Sequence, residues 1–443
     1  MKKLLFLLLF INNLVLAQNN VGTTYCNHND LNASKYQPSE LDLGSKHVQL
    51  GFNYYLWMGN SSFDYKTVND VYKTGKIDNQ DIDHLMGKLK KNNLFGVGQD
   101  YQVFGLAVQL KTKSENKIDI GVSVVDKFGL SLRYSDNFMK LVLKGNKQFA
   151  GQTVSLGPSI LNANYRREYA IASAFNVIGA GEDFGVRVGV RAKYIQGIGS
   201  LYMPKGNADM TTDTEGRYID MDFDYELHTA GLSNFSLFNY NGTGMGLDAG
   251  VTVNLTKNFA LVASVLDVGA IRYSKNATSY QKAGNARYEG LVIDRLFGGG
   301  TPDGDSLADI FTPQITEGSS YTMPLDTKIS FQAEFSTKKT DDKDREYVSN
   351  AIFLTYIQGL NNMPGATTRP FFSLAYNHDF HKILDAGVMT AIGGYNKFTF
   401  GAFFSLNFGH VVKLGFSSDN LMAFVVPNYG TGIDLSTNFS ISF

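Results

Sequence analysis

The chain ends on GIDLSTNFSISF, residues 432–443. Counted back in steps of two, Phe443, Ile441, Phe439, Thr437 and Leu435 form one set, apolar at every position but Thr437. The intervening Ser442, Ser440, Asn438, Ser436 and Asp434 are all polar. Period two marks a strand with one apolar face and one wet face. The pattern recurs upstream. In 397–408, Phe398, Phe400, Ala402, Phe404, Leu406 and Phe408 oppose Thr399, Gly401, Phe403, Ser405 and Asn407. In 245–255 the apolar set opposes Gly246, Asp248, Gly250, Thr252 and Asn254. In 184–194 it opposes Gly185, Arg187, Gly189, Arg191 and Lys193. Segments 327–335 and 48–56 repeat it. Runs of about nine to twelve residues are what a tilted strand needs to cross a bilayer.

Fourteen such strands are expected, near 47–58, 101–112, 117–125, 161–177, 183–200, 242–256, 258–273, 326–338, 346–358, 370–379, 382–393, 395–408, 410–418 and 433–443. The connections sort by parity. Every even-numbered gap is short, and every long one (59–100, 126–160, 201–241, 274–325) is odd-numbered. A barrel with short periplasmic turns and long outer loops produces this alternation. A secreted β-sandwich, the rival fold, predicts shorter strands and no such sorting.

The start of the chain agrees. Lys2 and Lys3 precede an apolar run over 4–11, and Val15-Leu16-Ala17 ends in a small residue. Residues 1–17 read as a secretory signal peptide, 18–46 as an N-terminal leader and 47–443 as the barrel. Cys26 is the one cysteine, so no internal disulfide framework exists. The mature chain has no apolar run long enough for a transmembrane helix. The mean hydropathy of −0.14 does not count against a barrel, because only alternate residues meet lipid. Forty basic and 41 acidic residues nearly cancel, which gives no reason to expect a nucleic-acid partner.

Candidate site residues follow from parity. Arg187, Arg191 and Lys193 aim inward, with Arg166 and Glu168 on the preceding strand and Lys328, Gln332 and Glu334 elsewhere. Such a lining either orients a solute or forms a pairing network that fills a closed lumen; inward glycine favours the second. Residues 258–273, NFALVASVLDVGAIRY, are apolar on both faces, with Val262, Leu266 and Val268 opposite Leu261, Ala263 and Val265. Something apolar must cover the lumenal side, either a plug or a hydrophobic ligand. The helical stretch 134–146, capped by Ser135 or Asp136 with Phe138, Leu141 and Val142 on one face, is the expected plug. A second amphipathic helix is expected near 81–91. In 218–227, Asp220, Asp222, Asp224 and Glu226 alternate with apolar residues. They read as the wet face of a hairpin above the membrane, with a Ca²⁺ ladder or a further membrane strand as alternatives. GGGTPDGDS at 298–306 reads as loop. The seven histidines fall in no catalytic motif, so no enzyme, cofactor or metal is expected.

Three stretches carry a resemblance: GQTVSLGPSILNANYRREYAIASAF (151–175), VLDVGAIRY (265–273) and the terminal strand. They resemble an uncharacterised, domain-of-unknown-function family of Gram-negative outer-membrane barrels. More distantly the chain is similar to long-chain fatty acid transporters and the type IX secretion barrel. That resemblance implies a lumenal plug and either uptake of an apolar solute or docking of a secretion or surface partner. It also implies that Phe439, Ile441 and Phe443 form the signal read by the barrel-assembly machinery.

The expectation is therefore an all-β, monomeric, antiparallel up-and-down transmembrane β-barrel of about fourteen strands in the outer membrane of a Gram-negative bacterium. It carries long extracellular loops and a plug, among outer-membrane lipid. Its expected role is passage of small, hydrophobic molecules; the alternative is a scaffold that recruits a partner through its loops.

Overall fold

A computed structural model describes residues 31–66, 69, 79–111, 117–179, 184–233, 235–289, 312–340, 346–409 and 411–443. The expected signal peptide, Cys26 and the 298–306 loop lie outside the described residues.

Fourteen antiparallel strands form one closed ring: β1 (Val48–Asn60), β2 (Asn92–Lys111), β3 (Lys117–Ser135), β4 (Ile160–Ile178), β5 (Gly185–Thr212), β6 (Gly242–Thr256), β7 (Phe259–Tyr273), β8 (Lys328–Thr340), β9 (Glu346–Gly359), β10 (Phe371–Phe380), β11 (Leu384–Gly393), β12 (Phe398–Phe408), β13 (Val412–Ser418) and β14 (Gly432–Ser442). The ring is closed by β14 against β1, in register from Gln49 with Ser442 to Gly59 with Gly432. Beyond the strand, Phe443 N donates to Val48 O, and Phe443 O accepts from His47 and Val48. Lipid offers no partner to an open edge, so closure is obligatory. Among the described residues no helix is long and apolar enough to cross a membrane.

Alternation sets the two faces. Ile171, Val190 and Leu247 point outward and are exposed, whereas Ser123, Arg191 and Asp248 point inward and are buried. Six short connections join strand pairs at one end of the ring, and every long connection lies at the other end.

The strands run further outward than the sequence pattern suggested. β2 begins at Asn92, β3 extends to Ser135 and β5 to Thr212. These extensions rise above the lipid, where an outward side chain no longer has to be apolar, so the alternation fades. Five shorter strands join them. Thr153–Ser155 pairs with β5, and Tyr321–Pro324 pairs with the outer end of β7. The outer half of β5, Ile219–Ala230, Ala277–Tyr288 and Gln314–Glu317 form a sheet standing on the rim. At about 3.3 Å per residue, its twelve-residue strands are about 40 Å long. The acidic segment is thus part of a hairpin above the membrane and adds no wall strand.

The plug is not where the sequence placed it. The helix α2 (Asp136–Lys144) forms, with Phe138 N donating to Ser135 Oγ at 3.0 Å. Yet it packs outside the lumen, with Phe138 and Leu141 against Leu156, Met210 and Met221 of the rim sheet. The rim sheet has an apolar underside of its own, and the helix covers it. The helix α1 (Asn79–Lys88) lies beside α2, tied by a Lys144–Asp83 ion pair.

The lumen is filled instead by the residues just before β1. Leu31 N donates to Gln49 on β1, Asn32 Nδ2 to Asn438 on β14, and Gln37 Nε2 to Gln332 on β8. Ser39 Oγ accepts from Thr252 on β6, and its carbonyl accepts from Arg187 on β5. A segment bonded to five strands around the ring lies at its centre. The expected leader is therefore, over 31–46, part of the barrel's interior.

Val190 sits on the lipid face of β5, 50% exposed. Val190→Arg places a charge near the middle of the bilayer and should lower unfolding stability in lipid by about 2–4 kcal/mol, measured by urea titration in vesicles.

Candidate functional site

The wall between β3 and β8 carries most of the buried charge. Arg166 donates to Glu168 at 2.9 Å and to Asp326 at 2.5 Å. Lys127 lies 3.3 Å from Glu168, and Lys193 bridges Asp248 and Asp267. Arg191 lies 3.6 Å from Asp248, and Lys328 lies 3.2 Å from Asp326. These residues interleave opposite charges, which is what a closed lumen demands of charge taken out of water. Apart, Arg187 pairs with Asp119 and donates to the carbonyls of Ser39 and Leu41.

Backbone irregularities bring the acids in. Asp267 has φ of 55°, the left-handed region that Asp tolerates better than most residues. Its N–H donates to Asp248 Oδ1 at 2.6 Å, and in the β6–β7 register Leu266 and Asp267 together oppose the single Asp248, so the bulge is on β7. This kink turns the side chains over. Leu266 and Asp267 are both buried, and Val268, expected with Val262 and Leu266 on the inner set, is exposed on the outside.

Every sequence-derived lumen candidate is accounted for. Arg166, Glu168, Arg187, Arg191, Lys193, Val262, Leu266 and Lys328 are buried. Glu334, near the periplasmic end, is half-buried. Phe439 and Ile441 are half-buried on the outward face, and Phe443 is exposed. The acids that complete the network, Asp119, Asp248, Asp267 and Asp326, were not singled out from sequence. Two could have been: Asp119 and Asp248 occupy inward parity positions beside Arg187 and Arg191.

The outer side of the lumen is closed by the 360–370 loop. Lys328 Nζ donates to Gly365 O at 3.3 Å and Tyr395 OH to Ala366 O at 3.0 Å. Between this loop and the N-terminal segment remains a cavity of about 30 Å³, lined by Tyr36, Trp57, Arg166, Leu266 and Asp326. That holds about one water molecule.

Larger spaces lie above. An apolar groove of about 550 Å³ runs between α2 and the rim sheet, lined by Phe138, Leu141, Leu156, Met203, Met210, Ile219, Met221, Phe223 and Tyr225. Three of these are methionines, whose unbranched side chains adapt to irregular apolar shapes. Behind the start of α2 and Ser155 is a second pocket of about 370 Å³, lined by Lys91, Arg133, Asn137, Pro158 and Arg369. Arg133 Nε is buried without a hydrogen-bond partner, and burial lowers the Arg369 pKa.

The acidic strand is largely spoken for. Arg287 holds Asp220 through two bonds of 2.7 and 2.8 Å, which lowers the Asp220 pKa. Lys205 lies 3.5 Å from Asp224, and His228 lies 3.1 Å from Glu226. Among the described residues no three His, Cys, Asp or Glu side chains converge as a metal site.

A closed antiparallel ring with an apolar exterior and a filled, charged lumen defines an outer-membrane-type β-barrel. Residues 45–419 match a family of unknown function, DUF5723, and the chain belongs to that family. No curated protein matches it. Among solved structures, the Pseudomonas putida toluene transporter TodX overlays 94% of this chain and 93% of its own at 9% identity and a TM-score of 0.40. A Pseudomonas aeruginosa FadL homologue overlays 97% and 98% at 11% identity and 0.42. A deltaS2S3 mutant of TodX, described as a monoaromatic hydrocarbon channel, overlays 93% and 94% at 10% identity and 0.45.

Three substitutions probe the lumen. A side chain at Gly189 would begin 2.2 Å from the Pro38 carbonyl group. Gly189→Leu should expel the 37–41 segment, seen as lost hydrogen-exchange protection there, whereas Gly415→Ala, which meets only ordinary contacts, should leave it intact. Arg166→Met leaves Glu168 to Lys127 alone and Asp326 to Lys328 alone, and should cost about 1–3 kcal/mol of unfolding stability.

Proposed function

We propose that this barrel takes up small apolar molecules, those with an anionic head among them, capturing them first in the groove beneath the rim sheet. The groove carries this reading. It is concave, apolar and of ligand size, and soluble surfaces seldom leave such a space unfilled without use. The arginine pocket behind it supports the anionic head, since Arg133, Arg369 and Lys91 line it and the carboxylate in its lining, Asp136, is held by Lys140 at 2.6 Å. A molecule leaving the groove meets a filled lumen, so passage requires the 31–46 segment or the 360–370 loop to give way.

The second reading, a docking scaffold, is favoured by one observation. Gln314–Glu317 pairs on one side only among the described residues and is exposed at all four positions. Such an edge accepts a partner strand. If deletion of the rim strands abolished partner capture while solute binding persisted, this reading would replace the first.

Two naphthalene probes separate the parts of the leading proposal: anilinonaphthalene sulfonate is anionic, and N-phenylnaphthylamine is neutral. Met221→Glu should weaken both by about tenfold, near 1.4 kcal/mol. Arg369→Gln should weaken the sulfonate and leave the neutral probe unchanged. Unaltered binding of both probes to Met221→Glu would remove the groove from the mechanism.

A further inference from the structure

The connection 231–241 joins the rim strand Ile219–Ala230 to β6. It carries Leu232, Phe235, Leu237, Phe238 and Tyr240, all exposed, with Phe238 at 89%. Five large apolar side chains in nine residues are costly to leave in water, and an exposed cluster of that size marks a contact surface. Its position says what it contacts. The Phe235 ring lies 3.3 Å from where a Gly199 side chain would begin and meets the Tyr165 ring edge-on at 5.8 Å. Gly199 and Tyr165 are cross-strand partners of β5 and β4. Because Arg166 points into the lumen, its neighbour Tyr165 points out. The loop therefore lies against the outside of the wall.

The level on the wall is also fixed. Two residues along β4, Arg167 holds Asp126 in an outward ion pair with bonds of 2.6 and 2.7 Å. Such a pair belongs near headgroups rather than acyl chains. Just below it the lipid-facing band begins, with Tyr169 against Tyr194 and then Ile171. On β6, Met245 and Leu247 are exposed immediately after the loop returns. The patch is thus continuous with the lipid-facing surface. Lys275 Nζ lies 4.1 Å over the Tyr240 ring, placing a cation at the polar border, as aromatic and basic residues sit at membrane interfaces.

We propose that the 231–241 loop inserts its apolar side chains into the outer leaflet at the boundary of headgroup and acyl chain. It forms a foot beside the barrel, with Lys275 at the level of the lipid phosphates. The occupant is lipid, since the patch merges with the band that already faces lipid. The foot braces the root of the rim sheet from outside, independently of whatever the groove binds.

The test uses the full barrel in vesicles. Trp57 is the one native tryptophan, buried against Tyr395, so it supplies a constant background. Phe238→Trp and, separately, Phe235→Trp are reconstituted with lipid brominated high in the acyl chain or with unbrominated lipid. The added emission should be lost in the brominated vesicles and untouched by aqueous iodide. Quenching by iodide and not by bromine would place the loop in water and overturn the proposal. Shielding from both quenchers would place it against protein, a second copy included, and overturn it equally.

Discussion

Everything in this molecule follows from one constraint: in lipid, each backbone N–H and C=O must find a partner within the protein. The fourteen strands satisfy it by bonding around a ring, and the ring exists only because β14 finds β1. That seam is long, running from Gln49–Ser442 to Gly59–Gly432, and extends past the strand ends through Phe443. With the edges gone, strand geometry divides every segment into an outward and an inward half. The outward half meets hydrocarbon. The inward half is enclosed with little water, and that second condition shapes the rest.

An enclosed wet face has to be satisfied by other protein. Here the solution is mixed. Charged side chains of opposite sign neutralise one another along β3 to β8, while the wall of β9 to β12 presents Phe353, Phe371, Met389 and Phe403 in an apolar cluster. The N-terminal segment spans the two, offering carbonyls to Arg187 and Tyr36 to the apolar side. Asp267 shows how far the backbone bends to serve this interior: a left-handed residue in a wall strand supplies a carboxylate to Lys193 and reverses the facing of Val268. Paired interior charges add little net stability over an apolar filling, but they make the packing intolerant of losing any single member.

The ring was legible in the sequence because lipid enforces an apolar residue at alternate positions over about ten residues at a time in most strands. The sorting of short and long connections then gave the strand count. What escaped lies where that enforcement ends. β3 beyond Asp126 and β5 beyond Leu201 leave the membrane, and their period blurs. Residues 31–46 contain two 3₁₀ turns and no periodicity, since a filler against a polar wall can be polar itself; Gln37 and Ser39 are as buried as Leu41. The amphipathic α2 was legible as a capped helix with an apolar face, but it was expected to plug the lumen and instead packs on the rim sheet. Its partner, the apolar side of the rim strands at Met210, Ile219 and Met221, lies more than sixty residues further along the chain, and alternation within 218–227 does not say what that apolar side meets. The ion-pair partners were half-visible: charges at inward positions on adjacent strands belong together, but the β7 bulge that admits Asp267 and the link before β8 that carries Asp326 leave no simple trace.

The N-terminal segment inside the ring has a consequence for the order of events. Its residues precede all fourteen strands, and the strand that seals the circle is the last of them. Once β14 has zipped onto β1, the segment is encircled, and Phe443 grips His47 and Val48 at the point where it enters. Threading a folded, hydrogen-bonded stretch of chain into a finished ring would require breaking its five-sided attachments one by one. The simpler sequence is that the early residues wait within an open, curved sheet, which then closes around them. A stretch that precedes every strand would then serve as the mandrel on which the strands are wound.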